Sequence, residues 1–140
     1  MTTGPFRIEI LEPMKNIRVV LDDNETGIGA DLQWIPRSAH FPEDHQRLTP
    51  EQIGRWMIAT RMNQFGFWSG ELHLPDETIT LDVANTYGTK DRSWGIRPVG
   101  DSVSLGAPLP PKGLKFFWAP LHWPDHVTHM ACFEGDKGEV

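Results

Sequence analysis

The run Asp91-Arg92-Ser93-Trp94-Gly95-Ile96-Arg97-Pro98 gathers an acid, two guanidinium groups and an indole in one short stretch. Side chains alternate along an extended strand, so Asp91, Ser93 and Arg97 share one face while Arg92, Trp94 and Ile96 share the other. One face is polar and the other mostly aromatic and apolar. Turned into a cavity, the polar face would let Asp91 and Arg97 orient a polar ligand group or pair with each other through a water. The competing reading is a structural Asp–Arg pair with Trp94 closing a barrel end, since ion-pair networks also occur without catalysis.

Protonating an isolated double bond needs an acid, an apolar wall and aromatic faces that stabilise a cation. Asp91 is the candidate acid, and Trp94, Trp68, Phe65, Trp118 and Phe117 are candidate wall residues, with Arg97 and Arg92 at the polar end. Arg92 and Arg97 beside Asp91 suit an ion pair better than a proton donor. His73 alternates onto the face of Glu71 and Ser69, which offers a base at hydrogen-bonding range or, more simply, a cross-strand polar ladder on the solvent side. His126 is a second candidate base.

His122, His126 and His129 fall close together, as do His40 and His45. A zinc site from His122, His126 and one of His40 or His45 would lack the Cys ligands and the His-Glu-x-x-His spacing of common sites, and on a strand His126 and His129 point to opposite faces. No metal is expected. Nor is a cofactor: Gly27-Ile28-Gly29 lacks the further glycine and the helix of a dinucleotide loop. No nucleophile elbow occurs.

These residues need short strands to position them. Twelve Pro and thirteen Gly limit element length. Phe6–Leu11 alternates at period two, Ile17–Leu21 follows, and Ile28–Trp34 places Ile28, Ala30, Leu32 and Trp34 on one face. Residues 36–49 show no clear period and read as a long excursion or lid. Thr49-Pro50-Glu51-Gln52 carries the signals of a short helix start. Ile58–Asn63, Phe65–Leu74, Thr78–Ala84, Leu114–Trp118 and Val127–Phe133 have strand composition, with a turn at Pro75-Asp76-Glu77 and a loop over 100–111. The expectation is a mainly β chain: an antiparallel barrel or strongly curved sheet of about eight strands with one short helix, as a single domain over residues 1–140.

Composition narrows the function. Net charge is −6 with no clustered basic face, which argues against nucleic acid. Cys132 is the single cysteine, excluding an internal disulfide and fitting a reducing compartment. No apolar run approaches the ~20 residues that cross a bilayer. The N-terminus lacks the basic and hydrophobic regions of a signal peptide, so the expected location is cytoplasmic. Six Trp and seven Phe against one Tyr fit either a broad core or an apolar pocket.

Three phrases in order, Glu12-Pro13-Met14-Lys15, Asn63-Gln64-Phe65-Gly66-Phe67-Trp68-Ser69-Gly70 and Tyr87-Gly88-Thr89-Lys90-Asp91-Arg92-Ser93-Trp94-Gly95-Ile96-Arg97-Pro98, resemble the hydroxyneurosporene synthase (carotenoid 1,2-hydratase) and AttH-like superfamily. The resemblance covers roughly residues 12–133 and is most specific at Asp91–Gly95. It implies a lipocalin-like barrel able to hold an apolar small molecule. Members of that superfamily usually carry two such lobes, and this chain corresponds to about one. Lys90 stands where many relatives have His or Arg. A single lobe would leave an open edge, for which a homodimer is the expected cover.

The first reading is a protein that binds an apolar or amphipathic small molecule, isoprenoid, steroid or fatty-acid-like. The second is a hydratase or isomerase acting on such a substrate, with Asp91 as general acid and His73 or His126 as base. The third is a degenerate structural fragment without activity.

Overall fold

The computed structural model describes residues 1–50, 56–97, 115–134 and 138. The chain is mainly β, and its strands pair antiparallel in a strongly curled sheet. Eleven strands occur among the described residues: β1 (Thr2–Thr3), β2 (Phe6–Glu12), β3 (Asn16–Leu21), β4 (Gly29–Pro36), β5 (Phe41–Pro42), β6 (Gln46–Leu48), β7 (Met57–His73), β8 (Thr78–Leu81), β9 (Tyr87–Ile96), β10 (Lys115–His122) and β11 (Val127–Glu134). The main sheet runs β1-β2-β3-β4-β7-β5, with β6, β8 and β9 also paired along β7, while β10 and β11 form a separate hairpin. The helix expected from Thr49 onward falls mostly on residues 51–55, and these, like the loop expected over 100–111, lie outside the described residues. No helix of the described residues is long and apolar enough to cross a membrane.

Two expectations are corrected. Residues 36–49 are not a structureless excursion, because β5 and β6 lie within them and pair with β7. Each is too short to show a period, and Pro42 is tolerated because it stands on an edge strand that need not donate. The segments 58–63 and 65–74 are one continuous strand, β7.

The chain divides into two compact units, residues 1–40 with 64–90 and residues 41–63 with 91–140, so β7 and β9 each contribute to both. In the first unit, register places Arg7, Glu9, Arg18, Asp31, Ser69 and Glu71 on one face. The other face carries Ile8, Val19, Leu32 and Trp68. Alternation in the sequence thus becomes a polar ladder backed by an apolar layer. Trp34 is almost fully buried and meets Trp68 edge-on at 5.3 Å. Phe65 is fully buried, a contribution of roughly 2–3 kcal/mol for a ring of that size.

Two of the three phrases noted in the sequence, Glu12–Lys15 and Asn63–Gly70, meet here. Gln64 is buried, and its Nε2 donates to the carbonyls of Met14 at 3.0 Å and Ser38 at 3.1 Å. Met14 has a φ of 63°, a left-handed conformation costing roughly 1–2 kcal/mol in a non-glycine residue. The Gln64 amide therefore pins the β2–β3 turn in a shape it would not adopt alone. Ser38 completes the clamp, its hydroxyl accepting from the Phe65 N–H at 3.1 Å.

Arg18 grips Asp31 through two hydrogen bonds, Nε to Oδ1 at 2.7 Å and Nη2 to Oδ2 at 2.6 Å. Those bonds hold the Asp31 carboxyl below its ordinary range against the opposing effect of burial, and the Arg18 charge adds a lesser lowering of its own. A depressed folded-state value means that the pair's stabilisation is complete above the ordinary carboxylate value of ~3.9 and fades as pH falls through the folded value. Replacing Arg18 with Gln is expected to return the Asp31 titration toward ~3.9 in carboxyl NMR, with little change in stability at neutral pH because the pair is exposed. An unmoved Asp31 titration would contradict the assignment.

Gly70 has a φ of 121°, and a Cβ there would sit 2.0 Å from the Asp31 carbonyl oxygen. Gly70→Ala is expected to cost at least ~1–3 kcal/mol in urea denaturation. A neutral substitution would show that β4 and β7 do not approach as described.

Candidate functional site

In the second unit the pairing of β5 with β7 sets the chemistry. Phe41 lies opposite Asn63, and the Glu43 N–H donates to the Arg61 carbonyl at 3.0 Å. Arg61 and Asn63 are two residues apart, so both project from the same face of β7 as Phe41 and Glu43. The Glu43 carboxylate becomes the centre of a cluster. Asn63 Nδ2 donates to Glu43 Oε1. From the β10–β11 hairpin, Trp118 Nε1 donates to the same oxygen at 3.4 Å, and His129 Nε2 lies 3.3 Å from it. Arg61 Nη1 is 3.6 Å from Oε2, and Arg61 Nε is 3.9 Å from Asp91 Oδ1. Rings close the surroundings: Phe41 and Trp118 both meet the His129 imidazole edge-on, at 5.2 and 5.9 Å.

The centre of the cluster is nearly enclosed, with side-chain exposures of 10% for Glu43, 17% for Arg61 and 13% for His129, while Asp91 at its edge is 42% exposed. It holds two carboxylates, Glu43 and Asp91, against one obligate cation, Arg61. Burial of ions is tolerable only where hydrogen bonds and opposite charge compensate. Here compensation is incomplete: Arg61 Nε, Asn63 Oδ1 and His129 Nε2 are buried and make no hydrogen bond among the described residues. Because Asn63 Nδ2 faces a carboxylate, the amide orientation is fixed, and Oδ1 is the atom left over. Gln46 Oε1, whose residue pairs with Ala59 on β7, is a further buried acceptor without a partner. The first unit has two such atoms, Trp34 Nε1 and Gln64 Oε1, neither beside a buried ion pair.

The structure distributes the residues singled out in the sequence. Asp91 and Trp118 belong to the Glu43 cluster. Asp91 reaches Arg61 rather than Arg97, and Arg97 donates instead to the Ser93 hydroxyl. Arg92 lies over the Trp94 ring at 5.8 Å, as alternation along β9 requires, and Trp94 is 50% exposed. Phe117 is 53% exposed and faces away from Trp118, alongside Leu121 and Met130. Phe65 and Trp68 belong to the first unit, the former as core and the latter against Trp34. His73 is also in the first unit, with its Nδ1 3.2 Å from Thr78 Oγ1 and its Nε2 3.6 Å from Glu71 Oε2, the polar ladder that its alternation predicts. A shallow groove of about 710 Å³ beside it is lined by Arg7, Arg18, Asp22, Asp31 and His73. Its guanidinium groups are already occupied by carboxylates.

Two of the remaining histidines, His126 and His45, go to separate partners. His126 pairs with Asp125 at 2.6 Å and stacks on Trp123, and His45 meets Thr60 Oγ1 at 3.2 Å. Among the described residues no three His, Cys, Asp or Glu side chains converge as metal ligands.

Sequence reasoning missed Glu43, Arg61 and Asn63 as a group. Glu43 stood in a stretch without a period, and its partners lie some twenty residues away on another strand. The one available signal was the Asn63-Gln64 amide pair opening a phrase dominated by aromatic residues and glycine.

No curated protein and no solved structure matches the chain. A family model does match, across residues 1–140, and on that match the chain belongs to DUF8625, a family of unknown function.

Proposed function

We propose that this protein binds an amphipathic small molecule with an isoprenoid-, steroid- or fatty-acid-like skeleton, its polar end seated at Glu43 and its carbon skeleton laid against aromatic side chains of the second unit such as Phe41 and Trp118. One observation carries this reading. Arg61 Nε, Asn63 Oδ1 and His129 Nε2 are buried around one carboxylate with hydrogen-bonding capacity unfilled among the described residues. Buried polar atoms are nearly always paired, and a pocket of apolar walls with a few converging polar groups is the usual form of a small-molecule site. The likeness of residues 91–97 to the hydroxyneurosporene synthase superfamily points the same way, because Asp91 adjoins the same Arg61.

A second reading, a hydratase or isomerase acting on such a molecule, is favoured by the 3.3 Å approach of His129 Nε2 to Glu43 Oε1. A carboxylate that orients an imidazole is a recurrent acid–base arrangement. In this reading Asp91 or His129 moves the proton and Glu43 positions His129. Turnover in deuterated water would place deuterium in the recovered ligand; unlabelled, unchanged ligand leaves binding alone.

The binding reading is tested by thermal melting with farnesol, cholesterol and oleic acid. At a hundredfold excess over Kd at least one is expected to raise Tm by about 5–10 °C. Arg61→Met is expected to weaken that ligand at least ~10-fold, since it removes a charged hydrogen-bond donor. No shift with any of them, or an Arg61→Met protein that binds as tightly as the parent, would sink the proposal.

A further inference from the structure

Resting on that binding reading, we infer that the Glu43 site selects a neutral hydroxyl group, so that its ligand is an alcohol in preference to the matching carboxylic acid or amine. Two independent features of the cluster lead there.

The first is charge. Glu43 and Asp91 already share the single guanidinium of Arg61, at 3.6 and 3.9 Å. A ligand carboxylate would be a third anion beside one guanidinium, with Glu43 and Arg61 less than a fifth exposed and Asp91 42% exposed. Screening by solvent is weak at Glu43, so repulsion from its carboxylate acts on binding directly, with Asp91 adding a more screened contribution.

The second is hydrogen-bond direction. Asn63 Oδ1 can only accept, and Arg61 Nε can only donate. Both are buried and make no hydrogen bond among the described residues, Asp91 Oδ1 standing 3.9 Å from Arg61 Nε. They project from the same face of β7 two residues apart. A hydroxyl donates once and accepts twice, so one oxygen can serve both atoms. A carboxylate accepts only, which leaves Asn63 Oδ1 unsatisfied. An ammonium donates only, which leaves Arg61 Nε unsatisfied and adds a cation beside it. The skeleton is left open by this argument; the head group is not.

The test compares farnesol, farnesoic acid and farnesylamine, which share one hydrocarbon chain, by calorimetric titration of the full chain at neutral pH. The alcohol is expected to bind at least tenfold more tightly than either ionised analogue. Glu43→Gln, which removes one of the two negative charges, is expected to improve the acid relative to the alcohol by about tenfold. If Glu43→Gln does not fold, as judged by its melting curve, the comparison on the parent protein decides alone. Acid or amine binding equal to or tighter than the alcohol overturns the inference while leaving ligand binding intact. Failure of all three, together with cholesterol and oleic acid, overturns the binding reading and this inference with it.

Discussion

Asn63 and Gln64 are consecutive amides on a strand buried on both faces. A buried amide without partners costs roughly 1–3 kcal/mol, so each must find its hydrogen bonds close by. Adjacent positions point in opposite directions, and the two amides accordingly serve different units. Gln64 reaches back to the carbonyls of Met14 and Ser38 and thereby shapes the β2–β3 turn. Asn63 reaches Glu43 and thereby fixes the carboxylate about which the second unit's polar groups gather. The remaining order in each unit depends on those two side chains being satisfied.

The two outcomes differ in a way that separates structure from function. Gln64 has both donor bonds spent on backbone carbonyls beside a fully buried Phe65, and its Oε1, like Asn63 Oδ1, is buried without a hydrogen bond among the described residues, but no buried ion pair adjoins it. Asn63 is held by one donor bond to a carboxylate, with its acceptor unfilled and an arginine and an imidazole in the same condition nearby. Polar clusters in low dielectric are worth most when fully satisfied and are costly when partly so. Three such unsatisfied atoms gathered about one buried carboxylate, against two separate ones in the first unit, are the kind of local cost that a binding site incurs.

Much of the fold was legible in the residues. The alternation of Phe6, Ile8 and Ile10 with Arg7 and Glu9, and of Ala30, Leu32 and Trp34 with Asp31 and Gln33, maps onto the two faces of the first unit because one face is apolar and the other carries a charge ladder. Strand β7 was harder to read as one element: Asn63 and Gln64 look like a break when only polarity is counted, and the reason they are tolerated lies in partners tens of residues away. Strands β5 and β6 are short pieces whose extended state comes from pairing with β7 rather than from their own composition. The site was legible only in part. Asp91 and Trp118 were visible as types that do chemistry, whereas Glu43 and Arg61 acquire meaning only from the β5–β7 register. Trp94 and Phe117 advertise an apolar wall in the sequence yet stand half exposed, because residue type fixes a preference for burial and not the neighbours that would provide it.

The most direct measurement is a double-mutant cycle on Asn63→Ala and Glu43→Ala by chemical denaturation. If Asn63 holds the Glu43 carboxylate as described, the two substitutions are non-additive, with a coupling of about 1–3 kcal/mol. A coupling below ~0.5 kcal/mol would mean that the amide and the carboxylate act independently, and the cluster on which the functional account stands would not exist.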